Sequence, residues 1–162
     1  MYTAVMMNPS EATANVSDHT VQLIINRAYD KGFSYVLILN TIPFFLTESK
    51  DLEDELSKIP QSTYVEEMNN NKEFIRNFFS DNNLTYVLVA TGAPRNDNAT
   101  FVREEMLSVY RILAEFDDKT EIAFCRHKIL TNDGFCSHPQ GKSVDDLENF
   151  KVSDLDILNE RS

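Results

Sequence analysis

Tyr35-Val-Leu-Ile-Leu-Asn40 and Tyr86-Val-Leu-Val-Ala-Thr91 are short apolar runs, rich in β-branched residues, that each close on a polar side chain. Near-continuous apolar character suits strands buried on both faces of a parallel sheet, whereas a one-sided sheet would alternate polar and apolar residues. Tyr2 to Met7 and Glu121 to Arg126 read the same way, so four strands are predicted. Helical patterns separate them. Val21, Ile24, Ile25 and Ala28 recur at helical spacing behind a cap at Ser17 or Asp18, and Gly32 stands where a helix ends. An acidic stretch around Leu52 and Leu56 reads as helix and is broken by Pro60. A third helix is predicted over residues 71–79, burying Phe74, Ile75, Phe78 and Phe79. A fourth is predicted over residues 100–116, with Val102, Met106, Val109, Ile112 and Leu113 on one side. Alternation of this kind specifies an α/β fold: a three-layer αβα sandwich around a mostly parallel four-stranded sheet. Residues 1–142 form the domain, and residues 143–162 are expected to make an acidic C-terminal helix or tail.

The chain has 162 residues and a formal net charge of -11, from 26 Asp plus Glu against 15 Lys plus Arg. That length suits one domain with a sizeable core. The charge argues against broad binding to nucleic acid, since phosphate contacts draw on Lys and Arg. Two cysteines do not make a disulfide framework. No basic leader precedes a long apolar segment, and no apolar run approaches the ~18 residues of a membrane helix. The expectation is a cytoplasmic protein with no membrane partner. The sequence has no P-loop, no G-x-S-x-G, no H-E-x-x-H and no G-x-G-x-x-G, and it calls for no cofactor.

In an open α/β sheet, ligands sit outside the carboxyl ends of the strands. The first strand leads into Asn8-Pro9-Ser10, the second closes on Asn40, and the third runs into Thr91-Gly92. Ser137-His138-Pro139 follows the last strand and a turn at Thr131-Asn-Asp-Gly134. Asn8 could hold a water or a substrate amide, with Pro9 fixing its loop. Ser10 could donate to an anion. The Asn40 amide offers both a donor and an acceptor to the edge of a nucleobase. His138 could stabilise charge developing on a carbonyl oxygen. Asn8 and Asn40 as turn formers, and His138 as a surface residue before a turn proline, are the plain alternatives. Arg95 and Arg103 could meet a phosphate near Gly92. A competing use of the last segment pairs Cys125 and His127 with Cys136 and His138 as ligands of a tetrahedral zinc, against the ordinary role of cysteine as a small buried hydrophobe.

The string Met7-Asn8-Pro9-Ser10-Glu-Ala, Ser17-Asp18-His-Thr20, Gly32-Phe33 and Val36-Leu-Ile-Leu-Asn40, closing with Cys125, Asp133-Gly134 and His138-Pro139, resembles domain-of-unknown-function family 1643 over roughly residues 1 to 140. Phe45 stands where that family has an Arg, and Thr91 where it has a Trp. The order of N-P-S, L-I-L-N, V-L-V-A-T-G and S-H-P is also similar, more distantly, to the uracil-DNA glycosylase superfamily. That resemblance implies a uracil-DNA glycosylase-like fold in which Asn8 positions water, Asn40 reads the base and His138 stabilises the departing base. It implies hydrolysis of an N-glycosidic bond, or a non-catalytic protein that keeps the nucleotide pocket. The wedge that normally follows the superfamily's His-Pro is absent from His138-Pro-Gln-Gly-Lys-Ser143, and a basic surplus is lacking too. A free nucleotide or nucleobase ligand therefore fits better than duplex DNA. The third reading is an acidic interaction module that engages a protein partner, as a phage or defence-related inhibitor or nucleic-acid mimic would.

Overall fold

A computed structural model describes residues 1–9, 19–45, 52–82, 86–94, 100–125, 135–136, 147–149 and 151–158. Four parallel strands, β1 (Tyr2–Met6), β2 (Val36–Asn40), β3 (Tyr86–Val89) and β4 (Glu121–Cys125), form the centre of one sheet. A fifth, β5 (Leu147–Asn149), joins β4 antiparallel, and the order across the sheet is β2-β1-β3-β4-β5. The helices are α1 (His19–Asp30), α2 (Leu52–Ser57), α3 (Gln61–Asp81) and α4 (Thr100–Ala114).

Strand alternation sorts the core into two layers. Tyr2, Ala4, Met6, Tyr86, Leu88, Ala123 and Cys125 pack with Ile24 and Ala28 of α1. Val5, Val87, Val89, Ile122 and Phe124 face the other way, onto α2, α3 and α4. This is the predicted three-layer arrangement. Between the layers, Thr3 is fully buried with no described partner for its hydroxyl. A buried hydroxyl without a hydrogen bond is unfavourable. Thr3→Val is therefore expected to raise stability by about 1 kcal/mol, measured as a higher denaturant midpoint at unchanged slope.

The carboxyl end of α1 shows why Gly32 stands where it does. Gly32 N–H donates to the Tyr29 carbonyl (2.8 Å) and Phe33 N–H to the Ala28 carbonyl (3.0 Å), the paired bonds of a Schellman ending. Gly32 has φ +81°, and a Cβ there would meet nothing within 4 Å. The cost of Gly32→Ala is thus conformational alone, and thermal denaturation is expected to show a loss of about 1 kcal/mol.

Four expectations need correction. β2 was expected to be buried on both faces, yet Val36, Leu37 and Ile38 are only half-buried and Leu39 alone is buried, because β2 lies at the sheet edge. The third helix starts ten residues early, at Gln61 directly after Pro60. Its polar first half is tied to α4 by Tyr64, whose O–H donates to the Glu105 carboxylate at 3.2 Å, and Lys72 in the second half pairs with the same carboxylate at 3.0 Å. Its buried stripe is Met68, Ile75 and Phe79, so Phe74, one position away from Ile75, is turned out and 57% exposed. On α1, likewise, Ile25 is turned out beside the buried Ile24 and Ala28.

The C-terminal segment is described over residues 147–149 and 151–158. Beyond β5 come two short 3-10 turns, Val152–Asp154 and Asp156–Leu158. Val152, Leu155 and Ile157 enter the same core as α4. The carboxylate of Asp117, just after α4, accepts the N–H groups of Val152 (2.9 Å) and Ser153 (2.8 Å) and fastens the first turn.

Candidate functional site

The strand order itself marks a position. From β1 the chain crosses to β2 on one side, and later elements fill the other side beginning with β3. The crevice between the carboxyl ends of β1 and β3 is therefore the topological switch point, where ligands of open α/β sheets bind. Asn8-Pro9 leaves β1 at that point, and Thr91-Gly92 leaves β3.

Backbone bonds extend the strand pairing past the strand ends and hold these loops together. Thr41 N–H donates to the Met6 carbonyl and Ile42 N–H to the Met7 carbonyl, both at 2.8 Å, and the Thr41 hydroxyl adds a bond to the Met7 carbonyl at 2.8 Å. On the other flank Ala90 N–H donates to the Val5 carbonyl at 2.8 Å. Asn8 is half-buried, and its side-chain amide donates to the Pro9 carbonyl at 3.0 Å, which shapes the loop. Asn40 is level with Met6 in the β1–β2 register, so it lies at the same end of the sheet as Asn8.

Thr91 has a different place from the one its position in the sequence implied. By alternation it faces α4, away from Asn40, and it is fully buried. Its hydroxyl donates to the Gly92 carbonyl at 3.0 Å and lies 2.7 Å from the Tyr110 hydroxyl and 3.2 Å from Cys136 Sγ. With its own proton on the carbonyl, the Thr91 oxygen has two lone pairs for the protons of Tyr110 and Cys136. Thr91 thus supports the loop from beneath. Gly92, at φ +71°, makes the left-handed turn that carries the chain out over it.

Burial pushes the Cys136 thiol up, and it pushes the Tyr110 phenol well above its ordinary value, with the neighbouring Cys136 adding to the effect. Both stay protonated near neutrality. Cys136 is accordingly a hydrogen-bond donor and an anchor, not a nucleophile. Phe135 packs on the Tyr110 ring at a centroid distance of 5.8 Å, and the Arg103 guanidinium lies 5.3 Å from the Phe135 ring. A cation is thereby held beside the segment that leads to residue 138.

Ser10, Arg95, His127 and His138 lie outside the described residues, as do the caps at Ser17 and Asp18 and the turn at residues 131–134. The two cysteines do not converge. Cys125 belongs to the α1 layer and Cys136 to the α4 layer, so the sheet separates the sulfurs that the zinc arrangement would unite. Among the described residues no group of three or more His, Cys, Asp or Glu side chains is placed to hold a metal ion.

Residues 1–140 match the family described as Protein of unknown function (DUF1643). The chain belongs to the DUF1643 family. No curated protein and no solved structure matches it. Among the described residues no helix is long and apolar enough to cross a membrane.

Two contributors to this DUF1643 site escaped the reading of the sequence. Asn71 of α3 donates its side-chain amide to the Asn40 carbonyl at 2.9 Å and approaches the Thr41 carbonyl at 3.3 Å, fixing the end of β2. Its place in the Asn69-Asn-Asn71 triplet gave no hint of this. Tyr110 was the more legible of the two. A hydroxyl within the buried aliphatic stripe of a helix needs a partner, and a threonine at a strand end is a natural one.

Proposed function

We propose that this chain recognises a nucleotide or nucleobase-containing ligand at the β1–β3 switch point, and that it hydrolyses an N-glycosidic bond there. The observation that carries the reading is the placement of Asn8 and Asn40 at the same end of the sheet, with β1 and β2 held in register by the Thr41 and Ile42 bonds to Met6 and Met7. The motif order shared with the uracil-DNA glycosylase superfamily supports it. In this reading Asn8 holds a water against the sugar carbon and Asn40 pairs with the base edge. The water oxygen bonds to that carbon, the carbon–nitrogen bond breaks, and its electron pair leaves with the base. His138 donates to the base carbonyl as charge develops, and the water's proton ends on the base or in solvent. Arg103 supplies positive charge near a phosphate. The net charge of -11 favours a free nucleotide or a single strand over duplex DNA.

The test incubates the protein with a panel of nucleosides, nucleotides and uracil-containing single strands, reading both thermal shift and free base. A ligand that raises the melting temperature and releases base is expected. Asn8→Ala is expected to slow release about 100-fold while the protein stays folded. Thermal shifts without any release would reduce the reading to binding alone. No shift with any member of the panel would overturn it.

A further inference from the structure

The open edge of the sheet carries an inference independent of the ligand site. Tyr2 N–H donates to the Tyr35 carbonyl and Thr41 N–H to the Met6 carbonyl, so odd-numbered backbone groups of this segment turn toward β1. Val36, Ile38 and Asn40 therefore point their N–H and C=O groups outward. The Asn40 carbonyl is taken by Asn71, while no described residue pairs with the outward groups of Val36 and Ile38. Natural sheets protect such an edge with charge, proline or a bulge. Among the described residues this one has none of these. No charged residue occurs between Lys31 and Glu48, the longest such interval in the sequence.

The overhanging flank of α1 is apolar as well. Arg27 lies on the side of the helix that reaches Tyr2 and Tyr86 of β1 and β3. Ile25 and Tyr29, one turn apart on the opposite flank, consequently lean over the β2 edge, and they are 40% and 79% exposed. Tyr35, at the start of β2, is 75% exposed. The two tyrosines alone offer about 300 Å² of surface. A stable dimer needs roughly 800 Å² per partner, and Ile25, Met1 and the half-buried β2 supply further area.

We propose that β2 pairs antiparallel with β2 of a second copy, making one continuous sheet across a two-fold axis. An axis normal to the sheet keeps both α1 helices on the same face, so Ile25 of one copy meets Tyr29 of the other. With the Asn40 carbonyl already bonded, the register that uses only the open groups pairs Val36 with Ile38 of the second copy, and Leu37 lies on the axis. Charge selects this surface too. Two copies at -11 each repel one another overall, and an interval without charge lets them meet with no like charges opposed.

Sedimentation of the full chain is expected to give twice the 18.6 kDa monomer mass, with association tightening as salt screens the repulsion. Tyr29→Glu, at an exposed position that does not threaten folding, is expected to weaken association about 100-fold. Leu37→Cys is expected to form an intermolecular disulfide on mild oxidation, since opposed residues of a non-hydrogen-bonded antiparallel pair have Cα atoms ~4.5 Å apart. The native Cys125 and Cys136 are buried and do not compete. Ile38→Cys should not cross-link. A wild-type monomer at about 100 μM, far above the Kd of a stable dimer, would overturn the proposal. So would a Tyr29→Glu protein that dimerises as tightly as wild type, or cross-linking of Ile38→Cys as fast as Leu37→Cys.

Discussion

A chain ending at Asp146 is expected to lose about 6 kcal/mol of stability, because Val152, Leu155 and Ile157 each contribute ~2 kcal/mol on burial. Whole domains are stable by only ~5–15 kcal/mol, so the shortened protein should be largely unfolded or aggregated at 37 °C. Urea denaturation followed by circular dichroism checks this. Leu155→Ala gives the graded version, at about 3 kcal/mol. Removal of the segment also strips β4 of its antiparallel partner and leaves the Asp117 carboxylate without the two N–H groups it accepts. A shortened chain as stable as the full one would mean that residues 147–158 lie on the core without stabilising it.

The second large effect is expected at Tyr110. Tyr110→Ala should cost about 4 kcal/mol, the usual range for emptying a fully buried aromatic site. The ring packs edge-on against Phe124 at 5.7 Å and tilted against Phe135 at 5.8 Å. Tyr110→Phe keeps those contacts and removes only the hydroxyl, which leaves Thr91 and Cys136 a partner short. Its expected cost is about 1–2 kcal/mol. Cys136 reports the local consequence. Reaction of that buried thiol with a thiol reagent, slow in the wild type, should quicken in Tyr110→Phe under conditions where the protein is still folded. If both variants lose the same stability, the hydroxyl network rather than the ring holds segment 135–136 in place.

The strands were legible because apolar runs of β-branched residues leave few alternatives, and four runs gave four parallel strands within a residue or two of their ends. Burial of each run was not legible in the same way. Val36-Leu-Ile-Leu39 and Val87-Leu-Val-Ala90 look alike in composition, yet one is an edge and the other is central, and only strand order distinguishes them. The first half of α3 was hidden because its residues have little apolar periodicity and Tyr64 finds its partner, Glu105, on α4. The packing of the C-terminal segment was hidden for a related reason. Val152, Leu155 and Ile157 are spaced for tight 3-10 turns, and the carboxylate that fastens them is on Asp117, far away in sequence.

The sequence placed Asn8, Asn40 and Gly92 at the carboxyl end of the sheet, where the structure has them, since strand ends can be read from strands. The inward turn of the Thr91 hydroxyl was not readable. Side-chain direction just beyond a strand depends on where alternation stops, and its two partners come from α4 and from segment 135–136.

The pairing of β4 with β5 also governs when the protein can fold. Synthesis proceeds at ~5–20 residues per second from the amino end, and parallel strands must wait for their crossovers. Here β5 and the three side chains that seal the α4 layer are made after β1 to β4 and after α4. Until then β4 has an open edge, and α4 an uncovered flank, on a nascent chain that has already made β1, β2 and β3. The growing chain therefore carries both surfaces uncovered while the residues between β4 and Ile157 are made.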